Sequence, residues 1–412
     1  MPLIQPFKGL RPAAGRAADI IAPPYDVLSS DEARQRVAGK PWSFLHISKP
    51  EIDLPLGTDL YSAEVYAKAR ENLDAMLAAG VIAQDATACY YVYRIVMGSH
   101  VQTGLVAAAS CKDYDTNRIR RHELTRPDKE DDRVRQIEAL NAQTGPVFLA
   151  YTNAADIDTI LQKTTALTPD ADATADDGIR HTLWAIRDAE TIAKISTTFD
   201  AMPALYIADG HHRSAAASRV CAARKAANPA HTGDESYNYF LSVIFPDHQL
   251  KILDYNRVVT DLHGLSVEDF LARVGESYSV EPSSTPVKPS RHGEVGVYVA
   301  GKWHKLSIKP ALVPEDPVAR LDVSLLTTHI LDPILGVADL RRDKRIDFVG
   351  GIRGLPELEK RVNSGEMAVA FAMYATTMSD LMAVADADQI MPPKSTWFEP
   401  KLADGMVSHV LD

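Results

Sequence analysis

The stretch Ala204-Leu205-Tyr206-Ile207-Ala208-Asp209-Gly210-His211-His212-Arg213, followed by Ser214-Ala215-Ala216-Ala217-Ser218-Arg219-Val220, decides how the rest of the chain is read. Its apolar opening predicts a short buried strand, Asp209-Gly210 a tight turn, and the alanine-rich continuation a helix. With Asp209 as the N-cap, Gly210, His211, His212 and Arg213 fill the first helical turn, where unpaired N–H groups and the positive end of the macrodipole face outward. Cationic side chains at that end cost about 0.3–1 kcal/mol each unless an anion sits among them, and phosphate is the simplest such anion. Asp209 as a plain cap beside two surface histidines is the competing reading. A zinc site within this stretch is the weaker option. Adjacent histidines diverge on a helix, position 215 is alanine where a ligand one turn on is needed, and no cysteine pair stands nearby.

A chain of 412 residues exceeds what one core usually supports, so lobes are expected at 1–145 (N-terminal, α/β), 146–263 (central, with the Asp-Gly-His-His-Arg turn) and 264–412 (C-terminal, closing the site). The composition, 46% hydrophobic and 24% charged, is that of a globular protein, and strands alternating with helices indicate a mixed α+β fold. A net charge of −11 argues against nucleic acid as a partner, while leaving room for a local cationic pocket that takes a small anion. Cys89, Cys111 and Cys221 show no metal or redox spacing, which fits a reducing cytoplasm. The opening Met1-Pro2-Leu3-Ile4-Gln5 lacks the order of a signal peptide, and no apolar run approaches the ~20 residues that span a bilayer. A cytoplasmic protein with no membrane partner is therefore expected.

Outward from the central stretch, three polar clusters carry candidate chemistry. Arg121-His122-Glu123-Leu124-Thr125 precedes a helix that Asp131 or Asp132 is expected to cap and that runs through Asn141. A histidine beside a carboxylate there can serve as a tuned general base or, with Asp209, help hold a divalent ion; a solvated charged loop is the alternative. Gly350-Gly351-Ile352-Arg353-Gly354 either cradles a phosphate or an adenine-ribose unit, with Arg353 beside it, or is a tight turn. Pro392-Pro393-Lys394-Ser395-Thr396-Trp397-Phe398 offers a cation and two hydroxyls suited to phosphate oxygens, or simply docks onto the body. Tyr25 and Asp26, aimed by Pro23-Pro24, are either part of a rigid arm or contribute to a site. Hairpins are expected at 89–97 with 101–109, at 238–245 with 250–254, and around 295–299 with 303–308, whereas 154–178 reads as a peripheral excursion.

Ala22-Pro23-Pro24-Tyr25-Asp26-Val27, Arg121-His122-Glu123-Leu124-Thr125, Ala208-Asp209-Gly210-His211-His212-Arg213, Phe348-Val349-Gly350-Gly351 and Met391-Pro392-Pro393-Lys394-Ser395-Thr396-Trp397-Phe398 together resemble a bacterial and archaeal family known as domain of unknown function family 1015. The Asp-Gly-His-His-Arg turn is also similar to the phosphate-binding turn of the ParB/sulfiredoxin-like fold, which includes partition proteins, sulfiredoxin and free serine kinases. That second resemblance implies a ParB/sulfiredoxin-like core with added α/β lobes and a nucleotide, ATP or ADP, with Mg²⁺. It implies a phosphate held by His211, His212 and Arg213, with Asp209 or Glu123 nearby as base or Mg²⁺ ligand; from the residues themselves, Gly210, Arg121, Thr125, Lys394, Ser395, Thr396 and Arg353 are added as candidate phosphate contacts. Asp209 and Glu123 are then the expected metal ligands, and Asp209, His211, His212, Glu123 and His122 the expected catalytic groups. Sulfiredoxin needs a cysteine in this turn, and none is present. The implied function is a phosphotransferase for a small hydroxylated metabolite, free serine first among them, with a homodimer as the expected assembly. A ParB-type nucleotide-binding regulator and a small-molecule phosphatase are the alternatives.

Overall fold

In a computed structural model that describes residues 1–411, the apolar runs assemble into a mixed α/β architecture of two units, Met1–Leu250 with Pro400–Asp412, and Lys251–Glu399. The first unit is built on a nine-stranded sheet of β1 (Ile4–Gln5), β2 (Tyr90–Met97), β3 (His100–Ser110), β4 (Ile119–Arg120), β5 (Val147–Tyr151), β6 (Ala171–Thr174), β7 (Arg180–Ile186), β8 (Leu205–Asp209) and β9 (Tyr239–Pro246). Their order across the sheet is β4-β8-β5-β9-β3-β2-β7-β6, with β1 paired to β3. Strands from both sides of residue 145 share this sheet. The aromatic run 90–97 and its partner form the expected hairpin, in register from Tyr91↔Val106 to Met97↔His100.

The central strands are buried along nearly their whole length, as a sheet covered on both faces requires. Ile157, Ile160 and Leu161 from one helix and Ile195 and Phe199 from another join Leu105, Leu149, Leu205, Ile207 and Ile244 in one core. Fully burying each such side chain contributes about 1.5–3 kcal/mol. Helix α2 (His211–Ala227) lies close to this core because Ala215 and Ala217 add almost no bulk, while Ala216 and Val220 meet Ile137 of helix α1 (Pro127–Leu140). The run 154–178 proves more structured than the sequence suggests. It supplies the helix Ala155–Thr165 and the edge strand β6, whose alternating burial hid a strand among polar residues.

Helix α1 begins earlier than expected. Pro127, which needs no N–H partner, takes the first helical position, so neither Asp131 nor Asp132 caps it. It stops at Asn141, which sits in the left-handed region at φ 50°.

The second unit carries a six-stranded antiparallel sheet of β10 (Tyr255–Val259), β11 (Tyr278–Ser283), β12 (Glu294–Val299), β13 (Lys302–Ile308), β14 (Ile346–Gly350) and β15 (Val369–Met373), in the order β11-β13-β12-β15-β10-β14. The hairpin expected from residues 238–254 does not form. Lys251–Leu253 pairs instead with Trp397–Glu399, and β9 is taken on its two sides by β3 and β5. No helix among the described residues is long and apolar enough to cross a membrane.

Candidate functional site

Strands β4 and β8 are parallel neighbours, with Ile119 opposite Leu205 and Arg120 opposite Tyr206. Their C-terminal ends therefore open on the same edge, the place where α/β sheets commonly bind ligands. The segment leaving β4 carries Arg121, His122, Glu123 and Thr125. The turn leaving β8 carries Asp209, Gly210, His211 and His212, and local chain geometry thus brings two remote motifs together.

Asp209 ends the strand rather than capping the helix, and Gly210 is the N-cap at φ 97°, a left-handed conformation that a side chain strains. The Asp209 Oδ1 accepts the Gly210 N–H at 2.8 Å, and its Oδ2 accepts the Lys401 ammonium at 3.0 Å. Burial alone pushes this carboxyl up, but Lys401 and then Arg213 pull it below the usual carboxylate range, so it stays charged at neutral pH. Lys401 escaped the sequence reading, because a single lysine in a proline- and aromatic-rich tail carries no signal of its distant partner. Its segment is held by the Ala403 N–H, which donates to the Tyr93 hydroxyl at 3.2 Å, and Tyr93 lies 2.6 Å from Nδ1 of His181.

His122 and His211 are buried, their rings perpendicular with centroids 4.5 Å apart. The His122 backbone N–H donates to Nε2 of His211 at a long 3.5 Å, and Nδ1 of His211 lies 3.8 Å from the half-exposed Glu123 carboxylate. Burial pushes the His122 imidazole down to about 4. The Ile207 carbonyl, near the ring but outside bonding geometry, and Asp209 oppose that shift weakly. Burial and then the facing His122 hold His211 well below the ordinary histidine range, so both rings are neutral near pH 7. His212, half-buried and also lowered by burial, accepts the Arg126 N–H on Nε2 at 3.1 Å. The charge conflict foreseen for cationic histidines at the helix start is thereby relieved without any anion.

Arg213 does not face this edge. It is 9% exposed, donates to the Pro146 carbonyl and lies 3.7 Å from Asp26. Desolvation opposes its charge, but Asp26 and Asp209 hold it firmly protonated. Together with Tyr25, Arg133, Thr144 and Asp404 it lines a partly enclosed pocket. Arg133 stacks 3.9 Å from the Tyr25 ring, and burial pushes the Asp404 carboxyl up to about 7 against the pull of Arg213, with Asp26 adding to the rise. Arg213 is thus a buried counter-ion placed away from the open edge, with Tyr25 and Asp26 in its cluster.

Of the remaining expected residues, Arg121 is exposed with its guanidinium 5.1 Å from the Tyr114 ring, and the Thr125 hydroxyl donates to Glu130. Lys394, Ser395, Thr396 and Arg353 belong to the second unit. There the Lys394 carbonyl accepts Arg257 at 2.9 Å, Ser395 donates to the Pro392 carbonyl at 2.7 Å, and Thr376 donates to the Ser395 carbonyl at 2.8 Å. A Cβ on Gly351 would meet Asp254 Oδ1 at 2.5 Å, and one on Gly350 would enter the Trp397 ring. Close packing therefore accounts for Gly350 and Gly351.

The chain belongs to the family described as Protein of unknown function (DUF1015), which matches residues 4–324. No curated protein matches it in sequence. Among solved structures it is similar to a conserved hypothetical protein from Pyrococcus furiosus at 13% identity and a TM-score of 0.35, covering 75% of this chain and 96% of that one. A free serine kinase in complex with AMP is similar at 10% identity and a TM-score of 0.35, covering 74% and 92%. C-terminally truncated SbnI from Staphylococcus aureus is similar at 9% identity and a TM-score of 0.36, covering 73% and 85%.

Proposed function

We propose that this chain is a nucleotide-dependent phosphotransferase acting on a small hydroxylated metabolite, with free serine the first candidate acceptor. The observation that supports this reading is the convergence of Glu123, His211 and the Lys401–Asp209 pair at the start of α2, on the edge where two parallel strands end. Phosphoryl transfer asks a protein for positioning and for cations around the moving group, more than for covalent chemistry. The first-turn N–H groups of α2, the Lys401 ammonium and the exposed Arg121 supply positive charge, and Glu123 is placed to accept the hydroxyl proton of an acceptor. Arg213 is left out of this assignment, because its charge is spent inside the fold.

ATP or ADP would enter with Mg²⁺ on its phosphates, and Glu123 is the carboxylate that faces the approach. Asp209 fits a metal-ligand role less well, since one oxygen holds Lys401 and the other the Gly210 N–H. The assay is transfer of labelled phosphate from ATP, then ADP, to serine and a panel of hydroxylated metabolites. Asp209→Asn and His212→Ala are expected to lose transfer while their circular dichroism is unchanged. Undiminished turnover in both would refute the assignment, and release of free phosphate without any acceptor would make the protein a hydrolase.

A further inference from the structure

We propose that His122, Glu123 and His211 form a resident binding site for an imidazole-favouring divalent ion of the Zn²⁺, Co²⁺ or Fe²⁺ type, distinct from any Mg²⁺ that travels with a nucleotide. One ligand atom from each residue can be chosen so that all lie within 4.8 Å of one another. An ion bound at about 2.0–2.2 Å to nitrogen and oxygen draws its ligands to somewhat shorter separations, which asks for a small closure. Glu123 can supply it, because it sits in a loop with its side chain 54% exposed.

The second, independent observation is His122 itself. Its side chain is 2% exposed, and neither Nδ1 nor Nε2 has a hydrogen-bond partner. Buried polar atoms are almost always paired, so a histidine with both nitrogens orphaned marks a missing partner. A hydrogen-bonded core histidine would not look like this; His181, with Tyr93 2.6 Å from its Nδ1, is the contrast within the same sheet. His211, facing it at 4.5 Å, makes on Nε2 only the 3.5 Å contact from the His122 backbone N–H, at the outer limit for such a bond and readily given up to an ion.

The donor set selects the ion class. Two imidazoles and one carboxylate suit late first-row ions, whereas Mg²⁺ prefers an all-oxygen octahedral shell and keeps its waters. Three protein ligands also leave coordination positions open, the arrangement of a catalytic rather than a structural metal. Asp209 lies outside the set, with Lys401 already on its carboxylate. The site is assembled by parallel β4 and β8, and so by residues 89 positions apart, which is why no local ligand spacing in the sequence announced it.

The inference goes beyond phosphotransfer: with the ion bound, Glu123 is its ligand and no longer the proton acceptor or the Mg²⁺ carboxylate, and ion binding is read with no nucleotide present. The full chain, stripped with a chelator, is titrated calorimetrically with Zn²⁺ and with Mg²⁺, and Co²⁺ is followed by its visible absorption. One Zn²⁺ per chain is expected, with Mg²⁺ at least tenfold weaker and a Co²⁺ spectrum of nitrogen and oxygen ligation. His122→Gln and Glu123→Gln are each expected to weaken Zn²⁺ by at least about tenfold, the smallest loss seen even for partners one shell further out. Because His122 is buried and its variant can misfold, the surface variant Glu123→Gln decides. Unchanged Zn²⁺ affinity in that variant, Zn²⁺ well below one equivalent, or Mg²⁺ bound as tightly as Zn²⁺ would each overturn the proposal.

Discussion

The Lys401 ammonium sits 3.0 Å from the Asp209 carboxylate although 192 positions separate them in the chain. The pair joins the end of β8 to the returning C-terminal segment. Both side chains are about a third exposed, so the interaction falls between a surface pair and a buried one. Lys401→Met is expected to cost about 1–2 kcal/mol in urea unfolding, because it leaves Asp209 partly desolvated and unpaired. The double variant Lys401→Met with Asp209→Asn should recover part of that loss. Full additivity of the two changes would show that the pair does not interact.

Tyr93 links His181 to the backbone of Ala403 and hence to the segment that carries Lys401. Burial lowers the His181 imidazole to about 4, against a weak opposing pull from Asp177. The folded state therefore favours the neutral ring, and the unfolded chain binds the proton first. Stability on this account is intact above about pH 6.5 and is lost as pH falls through 4, by up to about 3 kcal/mol for this one ring. Denaturation midpoints measured from pH 7 to 4 should fall less steeply in His181→Gln than in the parent chain. Parallel curves would rule this titration out.

Arg213 and Arg121 lie close in sequence to the two histidine motifs and are expected to behave in opposite ways. Arg213→Ala leaves the exposed Asp26 and the buried Asp404 without the facing guanidinium, and a loss of about 1–3 kcal/mol should appear as poorer folding. Arg121→Ala, at an exposed site, should change stability by only about 0.5 kcal/mol and weaken ATP binding in a thermal-shift titration. Equal effects on folding would contradict the inward placement of Arg213.

Gly210→Ala tests the turn itself. At φ 97° an added Cβ is strained, and it would also lie 3.3 Å from the Val147 Cα and 3.4 Å from Nε of Arg213. A loss of about 1–3 kcal/mol is expected, with ligand binding reduced beyond what the stability change explains. Wild-type stability in this variant would mean that the left-handed N-cap is not needed.

Much of this molecule follows from short-range chemistry. The alternating or continuous apolar runs at 90–97, 100–110 and 239–246 had to become buried strands, and Asp209-Gly210 before an alanine-rich run had to become a strand, turn and helix, because these preferences act over a few residues. The same reasoning singled out Glu123, His122 and His211 as chemical residues. It misjudged the N-cap, since a glycine able to adopt a positive φ competes with an aspartate one position earlier. It sent Arg213 outward to a phosphate, since the direction of a long side chain depends on where Asp26 and Asp404 come to rest. It paired 250–254 with its neighbour in sequence, whereas the strand 397–399 took that place. The amino-acid order, then, settled the long apolar strands and the strand, turn and helix around Asp209-Gly210, and it marked the residues able to carry chemistry. The parallel pairing of β4 with β8, the seat of Lys401 and the orphaned ring of His122 were decided only in three dimensions, because each depends on desolvation and charge compensation between groups that no local pattern connects.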